Sequence, residues 1–189
     1  MYYATMTPDF FKIFPLRKGR THEVYGPAAL AFSFALGREL NGTVMWVCEG
    51  WRAEQINPNG FVSYLDPQNL LIAKAKDQQN VLAVAEEALR SGAISLVVME
   101  LGTPIGLTTG RRLQLAAEAG HSTGLCIISE NMGSNAAETR WRCDPVFDAK
   151  DSTLQQWELI KNKSGTLGAW VVKWDAEAHR VIVVSKTAQ

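Results

Sequence analysis

The sequence predicts an α/β domain: a mostly parallel sheet flanked by helices, with antiparallel strands added at the C-terminal end. Three observations predict it. Short apolar runs alternate with helix-period segments from Thr21 to Ser129. Thr43–Cys48 is a continuous apolar run and the Ile94 strand is apolar through Leu96-Val97-Val98, as strands covered on both faces are. After Ser129, four strand-like segments follow with no helix between them.

Taken in order, Thr21–Tyr25 reads as a short strand ended by Gly26-Pro27. Pro27 suits the first turn of a helix, where its missing N–H costs nothing. The helix that follows, Ala28–Leu40, is apolar on nearly every side, which predicts burial. Asn41-Gly42 stops it. Thr43–Cys48 is a continuous apolar run, Asn57–Gly60 and Asp66-Pro67 are turn chemistry, and Leu70–Ala73 is a third strand. Gln78–Ser91 is an amphipathic helix with Asp77 as N-cap and Gly92 just past its end. Ile94–Leu101 is a strand, Leu107–Ala119 a helix and Gly124–Ser129 a fifth strand. Glu130–Ala137 is rich in Asn, Gly and Ser, and is expected to be mobile. Thr139–Cys143, Trp157–Lys161, Ala169–Trp174 and Arg180–Ser185 then extend the sheet in antiparallel fashion. Residues 1–20 are expected to form an N-terminal arm and 21–189 a single domain.

Bulk composition excludes several classes. With 47% apolar and 20% charged residues, the chain fits a water-soluble globular protein. The formal net charge is zero, so no global field draws it to nucleic acid. Met1–Lys18 does not read as a signal peptide, because Pro8, Asp9 and Lys12 interrupt it. No run approaches a membrane span. Cys48, Cys126 and Cys143 are odd in number and widely spaced, as expected of reduced thiols in a cytoplasmic protein. His22, His121 and His179 lack ligand-like neighbours at short spacing, and no nucleophile–base signature occurs, so no metal site is expected.

The segment where chemistry belongs is Gly26-Pro27-Ala28-Ala29-Leu30-Ala31-Phe32-Ser33. A strand, a glycine turn and a buried helix are the setting of a phosphate-binding loop. A working loop needs glycines for backbone N–H groups to wrap the phosphates, a Lys for the β and γ phosphates, and a hydroxyl for magnesium. Gly26 and Ser33 stand at their positions. Ala31 replaces the second glycine and Phe32 the lysine. An uncharged ring supplies no electrostatic term toward a phosphate. The residue nearest the magnesium-holding Asp position is Met99, followed by Glu100. The expectation is a degenerate site, no cofactor and no ATPase activity.

Several motifs together carry a family resemblance. They are Gly19–Pro27, Glu86–Gly92, Arg111–Ala119, Thr139–Arg142 and Leu159–Gly165. In this order they resemble bacterial RecA, and more closely the RecA-like accessory proteins of inducible mutagenesis, the ImuA family, with the cell-division inhibitor SulA as a relative. The likeness runs from about Arg17 to Asp175. It implies a RecA-like core, with Glu49 where RecA-type ATPases keep a water-polarising Glu. It further implies an SOS-induced, cytoplasmic, nucleoid-associated DNA-repair protein of translesion synthesis. Its partners would be an inactive Y-family polymerase homologue (ImuB-like), a DnaE2-type error-prone polymerase and RecA. The alternatives are a SulA-like inhibitor that binds FtsZ and a weak RecA-like ATPase.

Residue types mark two further candidate surfaces. Arg111, Arg112, Arg140, Arg142, Lys161 and Lys163 form a candidate basic surface for a partner or for weak single-stranded DNA contact, with Trp141 as a stacking platform; the alternative is an ordinary solvated rim with Trp141 in the core. Phe10, Phe11 and Phe14 either dock the arm on another subunit, giving a homo-oligomer, or fold back across the chain's own sheet. Trp46 is expected in the core, and Trp51 is hard to bury.

Overall fold

A computed structural model describes residues 9–186. Residues 1–8 of the expected arm and residues 187–189 lie outside the described residues. The strands are β1 (Thr21–Tyr25), β2 (Val44–Glu49), β3 (Leu70–Ala75), β4 (Leu96–Glu100), β5 (Thr123–Ile127), β6 (Thr139–Pro145), β7 (Gln155–Asn162), β8 (Gly168–Asp175) and β9 (Arg180–Lys186). The helices are α1 (Ala29–Leu40), α2 (Pro58–Phe61), α3 (Gln78–Ser91) and α4 (Leu107–Gly120). One nine-stranded sheet has the order β3-β2-β4-β5-β1-β6-β7-β8-β9.

The predicted fold class stands, with one correction of strand direction. The strand at Thr139 was expected to be antiparallel; β6 instead runs parallel to β1, pairing Glu23 with Arg140 and Tyr25 with Arg142. On its other side β6 pairs antiparallel with β7, and β6 to β9 form the antiparallel meander. The reason for the parallel pairing is the segment 128–138. It starts where Ile128 N–H donates to Val24 O and ends where Glu138 N–H donates to Thr21 O. The chain therefore crosses β1 from one end to the other, and a parallel return requires such a crossover.

Helix limits follow local chemistry. Asp77 Oδ1 accepts from Asn80 N–H at the start of α3, and Gly92 takes φ 70° at its end. Asn41 closes α1 in the left-handed region. The residues at 58–61, read only as turn chemistry, form the short α2, opened by Pro58 and capped by the Asn57 side chain.

The two faces of the sheet are packed differently. The α3 and α4 face buries Val47, Val97, Met99, Leu113, Ala116 and Cys126. The α1 face buries Trp46, Trp141, Trp157, Trp170, Phe14 and Phe32. Residues 9–20 complete this second layer. Phe10 stacks with Phe14 at 5.2 Å, and their rings lie 6.0 and 5.4 Å from Trp157. Among the described residues, no helix is long and apolar enough to cross a membrane.

Candidate functional site

The site begins at the end of β1, where the chain turns into α1. Gly26 takes φ 102°, and a side chain there would collide with the carbonyl of Cys143 on β6. Glycine is thus required by the approach of β6, independent of any phosphate. Ala28 N–H donates to that same Cys143 carbonyl at 3.0 Å, and Ala29 N–H donates to Gly26 O at 3.0 Å. Pro27 has no N–H to offer. The turn is closed onto its own strands.

The two side chains that would handle phosphate and magnesium are turned inward. Phe32 is fully buried, with ring centroids 5.6 Å from Phe14, 5.4 Å from Trp141 and 4.7 Å from Trp157. Ser33 is buried, and its hydroxyl donates to Ala29 O at 2.8 Å within α1. Met99 lies buried on the opposite face among α3 and α4 side chains. Glu49 ends β2, which is separated from β1 in the sheet by β4 and β5, and its carboxylate has no hydrogen-bond partner among the described residues. Glu100 is committed elsewhere. It accepts from Trp46 Nε1 at 2.6 Å and from Arg52 at 3.2 Å.

The expected basic surface does not assemble as one patch. Arg140 donates from Nε to buried Glu23 at 2.7 Å and from Nη2 to Ser134 O at 3.1 Å. Lys161 Nζ donates to the carbonyls of Ser134, Asn135 and Ala137, and Lys163 Nζ to that of Ala136. Loss of water around Lys161 lowers its pKa. These three cations hold segment 134–137 in place, where Ser134 N–H also donates to Glu23. Ser134, Ala136 and Ala137 are buried, so the segment expected to be mobile is anchored. Gly110 of α4 allows this, since a side chain there would overlap Ala136 and Ser134. Arg142 pairs with Asp144 at 2.7 Å, and Arg112 with Glu86 of α3 at 2.7 Å. Arg111 is exposed on α4. Trp141 is fully buried and donates to Thr139, so of the two readings of this ring the core position holds and the stacking platform does not.

Glu23 is the site residue that the sequence reading missed. It sits mid-strand in Thr21–Tyr25, and a carboxylate in a buried strand requires a cationic partner. His22, beside it, faces the other layer. Arg17 O can only accept, so the neutral ring carries its proton on Nε2, and Nδ1 accepts from the Thr139 hydroxyl at 2.7 Å, whose oxygen also accepts from Trp141 Nε1. Nε2–H then donates to Arg17 O at 3.0 Å. Burial lowers the His22 pKa to about 4, which keeps the ring neutral.

The aromatic arm also resolves. Phe10 and Phe14 are buried on the chain's own sheet, so they do not project toward a second subunit. Phe11 remains 62% exposed. The large exposed rings lie elsewhere. Trp51, 72% exposed, follows β2 with the Arg52 guanidinium 5.7 Å from its centroid. Phe147, 96% exposed, projects from the β6–β7 connection. That connection is held by Asp148, which accepts from Lys150 and Asp151 N–H, and by the Asp151–Lys173 ion pair. Both rings emerge beyond strand ends at the end of the sheet that carries the Gly26 turn.

No family model matches the chain, and no curated protein matches it. Among solved structures, the crystal structure of the RadB recombinase is similar, with a TM-score of 0.67 at 14% identity, over 89% of this chain and 92% of that one. With its strand order, its β1–turn–α1 unit and this likeness, the chain has the RecA-like recombinase fold.

Proposed function

We propose that the protein is a non-catalytic RecA-like accessory factor of DNA-damage-induced, error-prone lesion bypass, acting by binding partner proteins. One observation carries the non-catalytic part. At the position of the phosphate-binding lysine, Phe32 is the centre of a buried aromatic cluster, and the neighbouring Ser33 hydroxyl is bonded to its own helix. Side chains used this way cannot also reach a nucleotide without dismantling the core. The lesion-bypass part rests on the ordered motifs from Gly19 to Gly165 and their likeness to ImuA. That reading places the protein in the cytoplasm, with the nucleoid, beside an inactive Y-family polymerase homologue, a DnaE2-type polymerase and RecA. The neighbouring fold is named as a recombinase, which keeps DNA transactions as the general setting. Trp51 with Arg52, and Phe147, are the side-chain types that anchor protein interfaces.

Co-purification tests the partner assignment. The full chain should retain the Y-family homologue and lose it on Trp51→Ala or Phe147→Ala. Retention of FtsZ alone would replace the assignment with cell-division inhibition.

A further inference from the structure

A cleft of about 350 Å³ opens at the end of the sheet opposite the Gly26 turn, where β1 and β6 begin and β7 ends. That volume falls in the range of small-molecule sites. The segment 12–17 forms one wall, and Asn162 and Ser164 of the β7–β8 turn form another. The buried His22 and Thr139 also line it.

Both walls are fixed. Phe14 and Leu16 are buried in the core, and His22 Nε2–H holds the Arg17 carbonyl. Across the cleft, Ser164 N–H and its hydroxyl both donate to Asn162 Oδ1, and Asn162 Nδ2 donates to Thr166 O. Lys163 N–H donates to Glu138 O. A cleft formed in advance costs little entropy to order around a ligand.

Its charge balance is positive. Lys12 and Arg17 line it with a single carboxylate, Glu138. Arg20 Nε lies 3.9 Å from Glu138 and shares that charge. Arg17 reaches Glu138 only at 4.0 Å, with its side chain 65% exposed, so the pair holds the guanidinium loosely. Lys12 is exposed, and its ammonium has no partner among the described residues. Burial lowers the His22 pKa to about 4, so the ring adds no charge. Ile13, Pro15 and Leu16 give the same wall an apolar surface.

We propose that this cleft binds a small phosphate monoester, with the phosphate between Lys12 and Arg17 and the organic body against Ile13, Pro15 and Leu16. Two open cations match the two charges that a phosphate monoester carries at neutral pH. The guanidinium forks onto two phosphate oxygens. A carboxylate would leave one cation unmatched. The proposal does not depend on the function proposed above.

Calorimetric titration of the full chain with phenyl phosphate tests it. Binding should saturate with a dissociation constant on the order of 1 mM. Lys12→Gln and Arg17→Gln should each weaken it about tenfold, the loss of one charge-assisted hydrogen bond. Ser164→Trp, which fills the cleft without changing its charge, should abolish binding. Lys76→Gln, beyond β3 at the other end of the sheet, should leave it unchanged. Inorganic phosphate, which lacks the organic body, should bind about tenfold more weakly. In proton spectra the His22 ring resonances should move during the titration and those of His179 should not. No saturation by about 10 mM would overturn the proposal. So would binding indifferent to Lys12→Gln and Arg17→Gln, or inorganic phosphate binding as tightly as the ester. Should Ser164→Trp fail to fold, the two Gln variants and the His22 resonances decide.

Discussion

The turn after β1 and the loop after β2 leave the same end of the parallel part of the sheet, yet their side chains go opposite ways. After β1, Phe32 and Ser33 turn into the core, and backbone bonds close Gly26–Ala28 onto β6. After β2, Trp51 stands in solvent over Arg52, with Glu54 and Gln55 exposed beside it. The first region keeps the outline of a nucleotide site and uses its residues for stability. The second has no such outline and carries exposed side chains of the kind that bind partners. Keeping the outline of a motif and exposing large side chains are therefore separable within one sheet.

This contrast can be broken most forcefully at Phe32. Phe32→Ala should cost about 3–5 kcal/mol of stability by leaving a cavity among Phe14, Trp141 and Trp157. Phe32→Lys, which restores the motif lysine, should destabilise at least as much, because it buries a charge without a partner. Urea unfolding measures both. A stable Phe32→Lys variant that gained nucleotide affinity would show the site to be recoverable.

Next is the anchored segment 134–137. Arg140→Ala leaves Glu23 buried without its cation and should cost about 3 kcal/mol. It should also make residues 130–137 the first site of limited proteolysis. Unchanged cleavage would mean that Lys161 and Lys163 suffice to hold the segment.

Of similar size is the pH response of His22. Its folded pKa lies near 4, below the ordinary value of 6.5, so the unfolded chain takes up the proton first. The contribution is complete above pH 6.5, declines as pH falls toward 4, and amounts to about 3 kcal/mol. Unfolding free energies across that window should show the slope, and His22→Gln should flatten it.

The smallest effect belongs to the exposed region. Trp51→Ala and Arg111→Ala should change stability by less than about 0.5 kcal/mol. Thermal melts check this, and a large loss at Trp51 would mean that the loop after β2 is structural like the turn after β1.

The fold was legible where periodicity and caps agreed. Asp77 and Gly92 bounded α3, and the apolar runs marked the central strands. The direction of β6 was not legible from alternation, which is the same for parallel and antiparallel strands; only the length of 128–138 signalled a crossover. At the site, the loss of lysine at Phe32 could be read directly, whereas its burial among aromatic rings depends on residues distant in sequence. Arg140, Lys161 and Lys163 read as a basic surface because cation type does not reveal its acceptor. Here the acceptors are Glu23 and the carbonyls of 134–137.

The most direct test of the central claim is calorimetric titration of the intact protein with ATP and magnesium. The closed turn at Gly26 and the buried Phe32 predict no saturable heat at ligand concentrations where RecA-type ATPases bind. Magnesium-dependent binding at micromolar affinity, abolished by changing Ser33 or Glu49, would contradict the account.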